Sequence, residues 1–157
     1  MKNLITNEQV ISLAFGEGEY VSPEVILDSD VAVATERYIL PVVGAELLEE
    51  LLEGSQKSLL EDYVAPALAM AVRTVVQPAL NVRTGQAGLH ISSSLRADSS
   101  TKTAVAQLQK SLVRRRQGLL KRLSNYLKNH ASQFPSYKQG NDAMQKCSID
   151  GGYVQIY

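Results

Sequence analysis

The chain has no tryptophan, two phenylalanines, two histidines and one cysteine, Cys147. A single cysteine cannot close an intrachain disulfide, so no disulfide framework is expected. His90, His130 and Cys147 are too scattered to have zinc-ligand spacing. No apolar run approaches the roughly 20 residues that a membrane span needs. The first residues, MKNLITNEQV, lack the long apolar core of a secretory leader. These absences predict a cytosolic origin and no membrane partner. What remains is 45% hydrophobic and 20% charged over 157 residues, the composition of one globular domain with a real core.

Acidic residues are also missing, but only from one part. Residues 1–62 carry 13 acids and three bases, whereas residues 63–157 carry three acids and 13 bases. Between Asp98 and Asp142 there is no acid at all. A nucleic-acid binder is more often basic overall. A chain with two oppositely charged halves can attract copies of itself, and a heterologous contact that closes makes a ring. Alternatively the halves neutralise each other within one monomer, and charge alone does not choose between the two.

Local signals predict a mainly helical chain. Thr6 and Gln9 have capping-box spacing and should open a helix over 7–14, which FGEGEY then breaks. Ser22-Pro23-Glu24 should start a helix running to about Leu40, where Pro41 ends it. A third helix should run from Ala45 to Gly54, with Leu47, Leu48, Leu51 and Leu52 on its apolar side. Residues 56–79 read as a nearly all-apolar helical segment, kinked or split at Pro66 and ended at Pro78, with 67–76 as the central buried helix. Residues 80–95 alternate around Thr84-Gly85-Gln86-Ala87-Gly88 and read as a protruding β-hairpin, with Arg83, Gly85, Gly88 and His90 in it. A long helix follows over about 101–130. The expected fold class is therefore a small helical bundle with one β-hairpin between the central apolar helix and a long basic helix. Residues 1–137 form the domain, and 138–157 form a polar tail or extended arm. Leu68, Met70, Ala71, Val75, Leu112, Leu119 and Leu123 are the expected core, and no internal repeat is evident.

No catalytic constellation is present. FGEGEY lacks the lysine and hydroxyl of a phosphate-binding loop, and its glutamates would repel phosphate. No serine sits in a nucleophile-elbow context. Glu46, Glu49, Glu50 and Glu53 lack histidine or aspartate partners and read as a solvated face rather than a metal site. No catalytic, cofactor-binding or metal residue is expected, and a binding or structural role is favoured over an enzyme.

The stretch SLVRRRQGLLKRL (111–123) is the most informative. On a helical wheel Val105, Leu108, Leu112, Leu119, Leu123 and Leu127 share one stripe, with Arg116 inside it. Lys110, Lys121 and Lys128 line one flank; Arg115 and Arg122 line the other. The cations could be solvated, could contact phosphates without reading sequence, or could meet acidic helices of a neighbouring subunit. The expected subunit or partner interface comprises Arg114, Arg115, Arg116, Lys121 and Arg122, together with Tyr153, Val154 and Ile156 of the strand-like final residues. Lys110, Lys121 and Lys128 are the alternative DNA contacts. Arg116 within the apolar stripe should be paired or border an interface, because an unpaired buried charge is costly.

The order of elements, with YILPVVGAEL at 38–47 and FPSY at 134–137, resembles the head–tail connector (adaptor) proteins of tailed bacteriophages, especially those of Bacteroidetes phages and prophages. The resemblance spans roughly residues 5–137. It implies a structural virion protein in the head–tail neck, assembled in the bacterial cytoplasm. It also implies a ring of copies of this chain, commonly twelvefold, docked on the phage portal protein beneath the head. The next tail or neck protein would bind below, and genomic DNA would pass through the channel. The alternative is a small helical nucleic-acid-binding protein, in packaging or regulation, that uses residues 110–128.

Overall fold

Helix α6, Ala65–Asn81, is the axis of the molecule. Residues 67–74 are all buried, as the nearly continuous apolar sequence demands. The computed structural model describes the backbone of residues 3–85, 88–91 and 99–146, and the side chains of 3–80 and 102–146. Helices α1 (Asn7–Ala14), α2 (Asp28–Ala34) and α7 (Ser99–Asn129) each pack on α6. Helices α3 (Leu40–Val43), α4 (Ala45–Glu53) and α5 (Lys57–Leu59) complete the bundle.

Several ends follow from local chemistry. Thr6 caps α1: its hydroxyl accepts from Gln9 N at 3.3 Å, and Gln9 Oε1 accepts from Thr6 N at 2.9 Å. Together these satisfy donors that a helix start leaves open. Gly54 ends α4 with a left-handed φ of 85°, a conformation that glycine reaches without a Cβ clash.

The prolines behave differently from expectation. Ser22-Pro23 opens only one 3₁₀ turn, Pro23–Val25. Helix α2 starts at Asp28, where Asp30 Oδ2 accepts from Leu27 N at 3.0 Å. Nor does Pro41 stop the helix. A π turn at Thr35–Ile39 precedes it, and the chain continues helically to Val43. Pro66 follows another π turn, Leu60–Val64, and sits at the start of α6. Widening the coil ahead of a proline makes room for a ring that would otherwise strike the carbonyl four residues back. Pro78 lies inside α6 rather than at its end. Its missing N–H deprives the Thr74 carbonyl of its usual partner, and Gln109 Nε2 of α7 donates there instead, at 3.2 Å.

The expected fold class needs correction: the architecture is helical, and a β-hairpin is not one of its layers. The residues concerned form two four-residue segments, Val82–Gly85 and Gly88–Ile91, whose backbones pair with each other and, among the described residues, with no further strand. Helix α6 claims Asn81, and every described core residue lies in a helix, turn or coil. Alternation in the sequence is thus a local pattern that does not create a sheet without further strands.

The core assignments shift by one residue in α7. Leu120 is buried, whereas Leu119 is half-buried, as is Val75. Leu68, Met70, Ala71, Leu112 and Leu123 are buried as expected. The tail to residue 146 is also more constrained than its polar sequence suggests. Asp142 is buried, as are Phe134 and Tyr137 just ahead of the tail. Ala143 N donates to the Pro41 carbonyl at 2.9 Å. Residues 147–157, including Cys147, lie outside the described residues.

Candidate interaction surface

Helix α7 has 31 residues, about 46 Å at 1.5 Å per residue. Its residues Leu112, Arg116, Leu120, Leu123, Ser124 and Leu127 are buried. The opposite side holds Lys110, Arg114, Arg115, Lys121, Arg122 and Lys128, all exposed, with no acid anywhere on the helix. None of the ion pairs among the described residues involves these six.

Of the sequence-predicted interface residues, Arg114, Arg115, Lys121 and Arg122 therefore share one solvent-facing surface with the predicted DNA contacts Lys110 and Lys128. Arg116 does not. It is 3% exposed, and its guanidinium lies 4.1 Å from the centre of the buried Tyr38 ring. Desolvation is the main reason its pKa lies below the ordinary arginine value. It joins α7 to the turn Thr35–Ile39 and is a packing residue rather than an interface cation. Arg122 has a lesser version of this contact, 4.7 Å over Tyr63. The side chains of Arg83 and His90, and all of Tyr153, Val154 and Ile156, lie outside the described residues. Gly85 and Gly88 are backbone partners across the short ladder.

Three constellations escaped the sequence reading. Tyr63 stacks on Tyr126 at 4.0 Å, and Tyr126 stacks on His130 at 4.3 Å. The spacing of Tyr126, His130 and Phe134 by four residues was the available signal. Second, Asp142 Oδ2 accepts from Tyr137 OH at 2.6 Å and from Ser124 Oγ at 2.7 Å, while Oδ1 accepts from Met144 N at 2.8 Å. Burial first, then the bond to Asp142, holds the Tyr137 phenol well above its ordinary pKa. This network, with Ser124, Tyr137 and Asp142 all buried, anchors the tail to α7. Its signal was a lone acid in an otherwise basic stretch.

Third, the buried Arg73 reaches across to the loop after α1. Its Nη1 and Nη2 donate to the two Glu19 carboxylate oxygens at 2.8 and 2.6 Å. Its guanidinium lies 4.4 Å over the Phe15 ring. Gly16 N also donates to Glu19 Oε2, at 2.8 Å. The hydrogen bond from Arg73 is the chief reason that the Glu19 carboxyl lies below its ordinary value. No spacing rule connects residues 19 and 73, so nothing local revealed this pair.

Among the described residues no group of three or more His, Cys, Asp or Glu is placed to hold a metal ion. No helix among them is long and apolar enough to cross a membrane. The most developed feature among the described residues is the cationic face of α7, whose charge suits an acidic partner. No curated protein and no solved structure matches the chain. Residues 27–146, which span α2 to the anchored tail, match the family of unknown function DUF6712, and the chain belongs to that family.

Proposed function

We propose that this protein is a structural virion subunit, a head–tail connector of a tailed bacteriophage, that assembles as a ring on the portal. One observation carries the reading: an exposed helical face with six cations and no acid, in a chain whose exposed acids lie on other elements. Glu8 on α1, Glu17 in the following loop, Glu36 before α3, and Glu49 and Glu53 on α4 supply the opposite sign. Complementary charge steers subunits together and fixes their register. Two different patches on one subunit make a heterologous contact, the kind that closes into rings. The resemblance of 38–47 and 134–137 to connector proteins supplies the portal as the docking partner and DNA as the cargo of the channel.

The test is charge reversal on one row of α7, Arg114→Glu with Lys121→Glu. Both positions are exposed, so the thermal midpoint should move little. Attachment to the portal, followed by particle imaging at low and high salt, should fail because like charges now meet. Normal attachment together with loss of salt-sensitive binding to generic DNA would assign the face to nucleic acid instead. A variant that attaches and binds DNA like the parent would leave the face with no partner.

A further inference from the structure

Gly118 stands in the middle of α7, exposed, where glycine weakens a helix relative to alanine. Nothing among the described residues requires it there. Its φ is not positive, and a Cβ built on it meets no atom within 4 Å. Its four neighbours on the helix surface, three and four residues away on either side, are Arg114, Arg115, Lys121 and Arg122. The result is a dimple of bare backbone ringed by four exposed cations.

The loop after α1 has the complementary character. It is held rigidly: buried Arg73 grips both Glu19 oxygens, and Glu19 N donates to the Gly16 carbonyl at 2.9 Å. The next residue, Tyr20, is nevertheless 97% exposed. Glu17, earlier in the same loop, is exposed and takes part in none of the ion pairs among the described residues. A fixed loop presenting a bare tyrosine has its ordering entropy already spent, which favours binding. Tyrosine and arginine are the residues most enriched at binding hot spots. This chain itself sets a tyrosine against an arginine of α7 twice, at Tyr38–Arg116 and Tyr63–Arg122.

We infer that Tyr20 of one copy seats on the Gly118 dimple of the next copy, its ring on the bare backbone between the four cations and Glu17 against them. The inference rests on the proposed assembly and names the two patches that meet. Tyr20 follows α1 and Gly118 lies on the exposed side of α7, so the contact would join two different elements of the subunit, as a heterologous contact does. A ring lying over arginine and lysine gains cation–π attraction, and a side chain at position 118 would hold it off.

The experiment uses the full chain. Gly118→Leu should raise the thermal midpoint of the free subunit, since leucine is the better helix former. The same variant, and Tyr20→Ala separately, should lower ring formation on the portal by roughly tenfold or more, the scale expected for losing a hot-spot residue. In a Cys147→Ser background, chains with Tyr20→Cys mixed with chains with Gly118→Cys should form disulfide-linked pairs several-fold faster than Tyr20→Cys mixed with Glu53→Cys. High salt should remove the excess. Normal rings from both Gly118→Leu and Tyr20→Ala, or equal cross-linking rates, would overturn the contact. If those variants assemble normally while Arg114→Glu with Lys121→Glu does not, the contact falls and the connector reading stands. If the specific cross-link forms but the parent never attaches to a portal, the connector reading falls and the contact stands.

Discussion

The turns around Tyr38 and Tyr63 share one design, yet one is sealed into the core and the other borders solvent. Arg37-Tyr38-Ile39-Leu40-Pro41 and Asp62-Tyr63-Val64-Ala65-Pro66 each place a tyrosine fourth in a π turn, with proline two residues beyond the turn. Each tyrosine receives an arginine of α7 over its ring, at 4.1 Å for Arg116 and 4.7 Å for Arg122. At Tyr38 both partners are buried; at Tyr63 the ring is half-buried and Arg122 is exposed. The same contact therefore fastens a helix in one place and leaves a cation available to a partner in the other. Local geometry does not decide which; the depth at which α7 crosses each turn does.

That contrast can be broken most severely at its buried end. Arg116→Ala should cost about 2–3 kcal/mol, since it removes both a packed stem and a charge placed on Tyr38. Arg116→Met, which refills the volume, should recover much of the loss. Urea midpoints of the two variants decide it, and equal midpoints for Arg116→Ala and the parent would place Arg116 outside the core. Arg122→Ala should cost at most about 1 kcal/mol, the range of an exposed cation–π contact. Should Arg122→Ala prove as costly as Arg116→Ala, the distinction between a fastening and an available cation would disappear.

Between the two arginines, Gly118→Ala should stabilise the free subunit by about 0.5–1 kcal/mol, because a Cβ there meets open space. A destabilised variant in thermal melting would mean that some contact of the subunit itself fills the dimple. The smallest effect is expected at Glu19, which pairs with the buried Arg73 but is itself 44% exposed. Its folded pKa is depressed from an ordinary 4.5. The stability it adds is thus fully present above that value and is lost as pH falls through the lower folded one. Solvent screening keeps this modest. A thermal midpoint followed from neutral pH to about pH 3 should fall less in Glu19→Gln than in the parent if the linkage is real.

Much of the fold was legible because it rests on short-range rules. The Thr6 cap, the left-handed Gly54 and the buried run of α6 each follow from neighbours a few residues apart. The prolines misled for a related reason. A missing N–H and a ring clash predict a break, but a π turn or a donor from another helix resolves the conflict without one. The two tyrosine turns, 25 residues apart, share Glu-x-Tyr-(Ile/Val)-x-Pro at 36–41 and 61–66, a match too short to stand out as a repeat. The shared backbone widening and the shared arginine partner give it a structural meaning. The candidate surface divides the same way: an acid-free helix with cations on two flanks is plain in the sequence, whereas the withdrawal of Arg116 into the core is not.

What the sequence alone determined is periodicity and charge. Apolar spacing set which elements are helical, and the absence of acids from 99–129 made α7 basic whatever it packs against. Only the tertiary structure decided which cations are spent inside and which face outward, because burial depends on where one helix crosses another. It also decided that Arg73 of α6 grips Glu19, 54 residues earlier in the chain. Such a pairing follows from the meeting of two surfaces in space, and no local propensity encodes it.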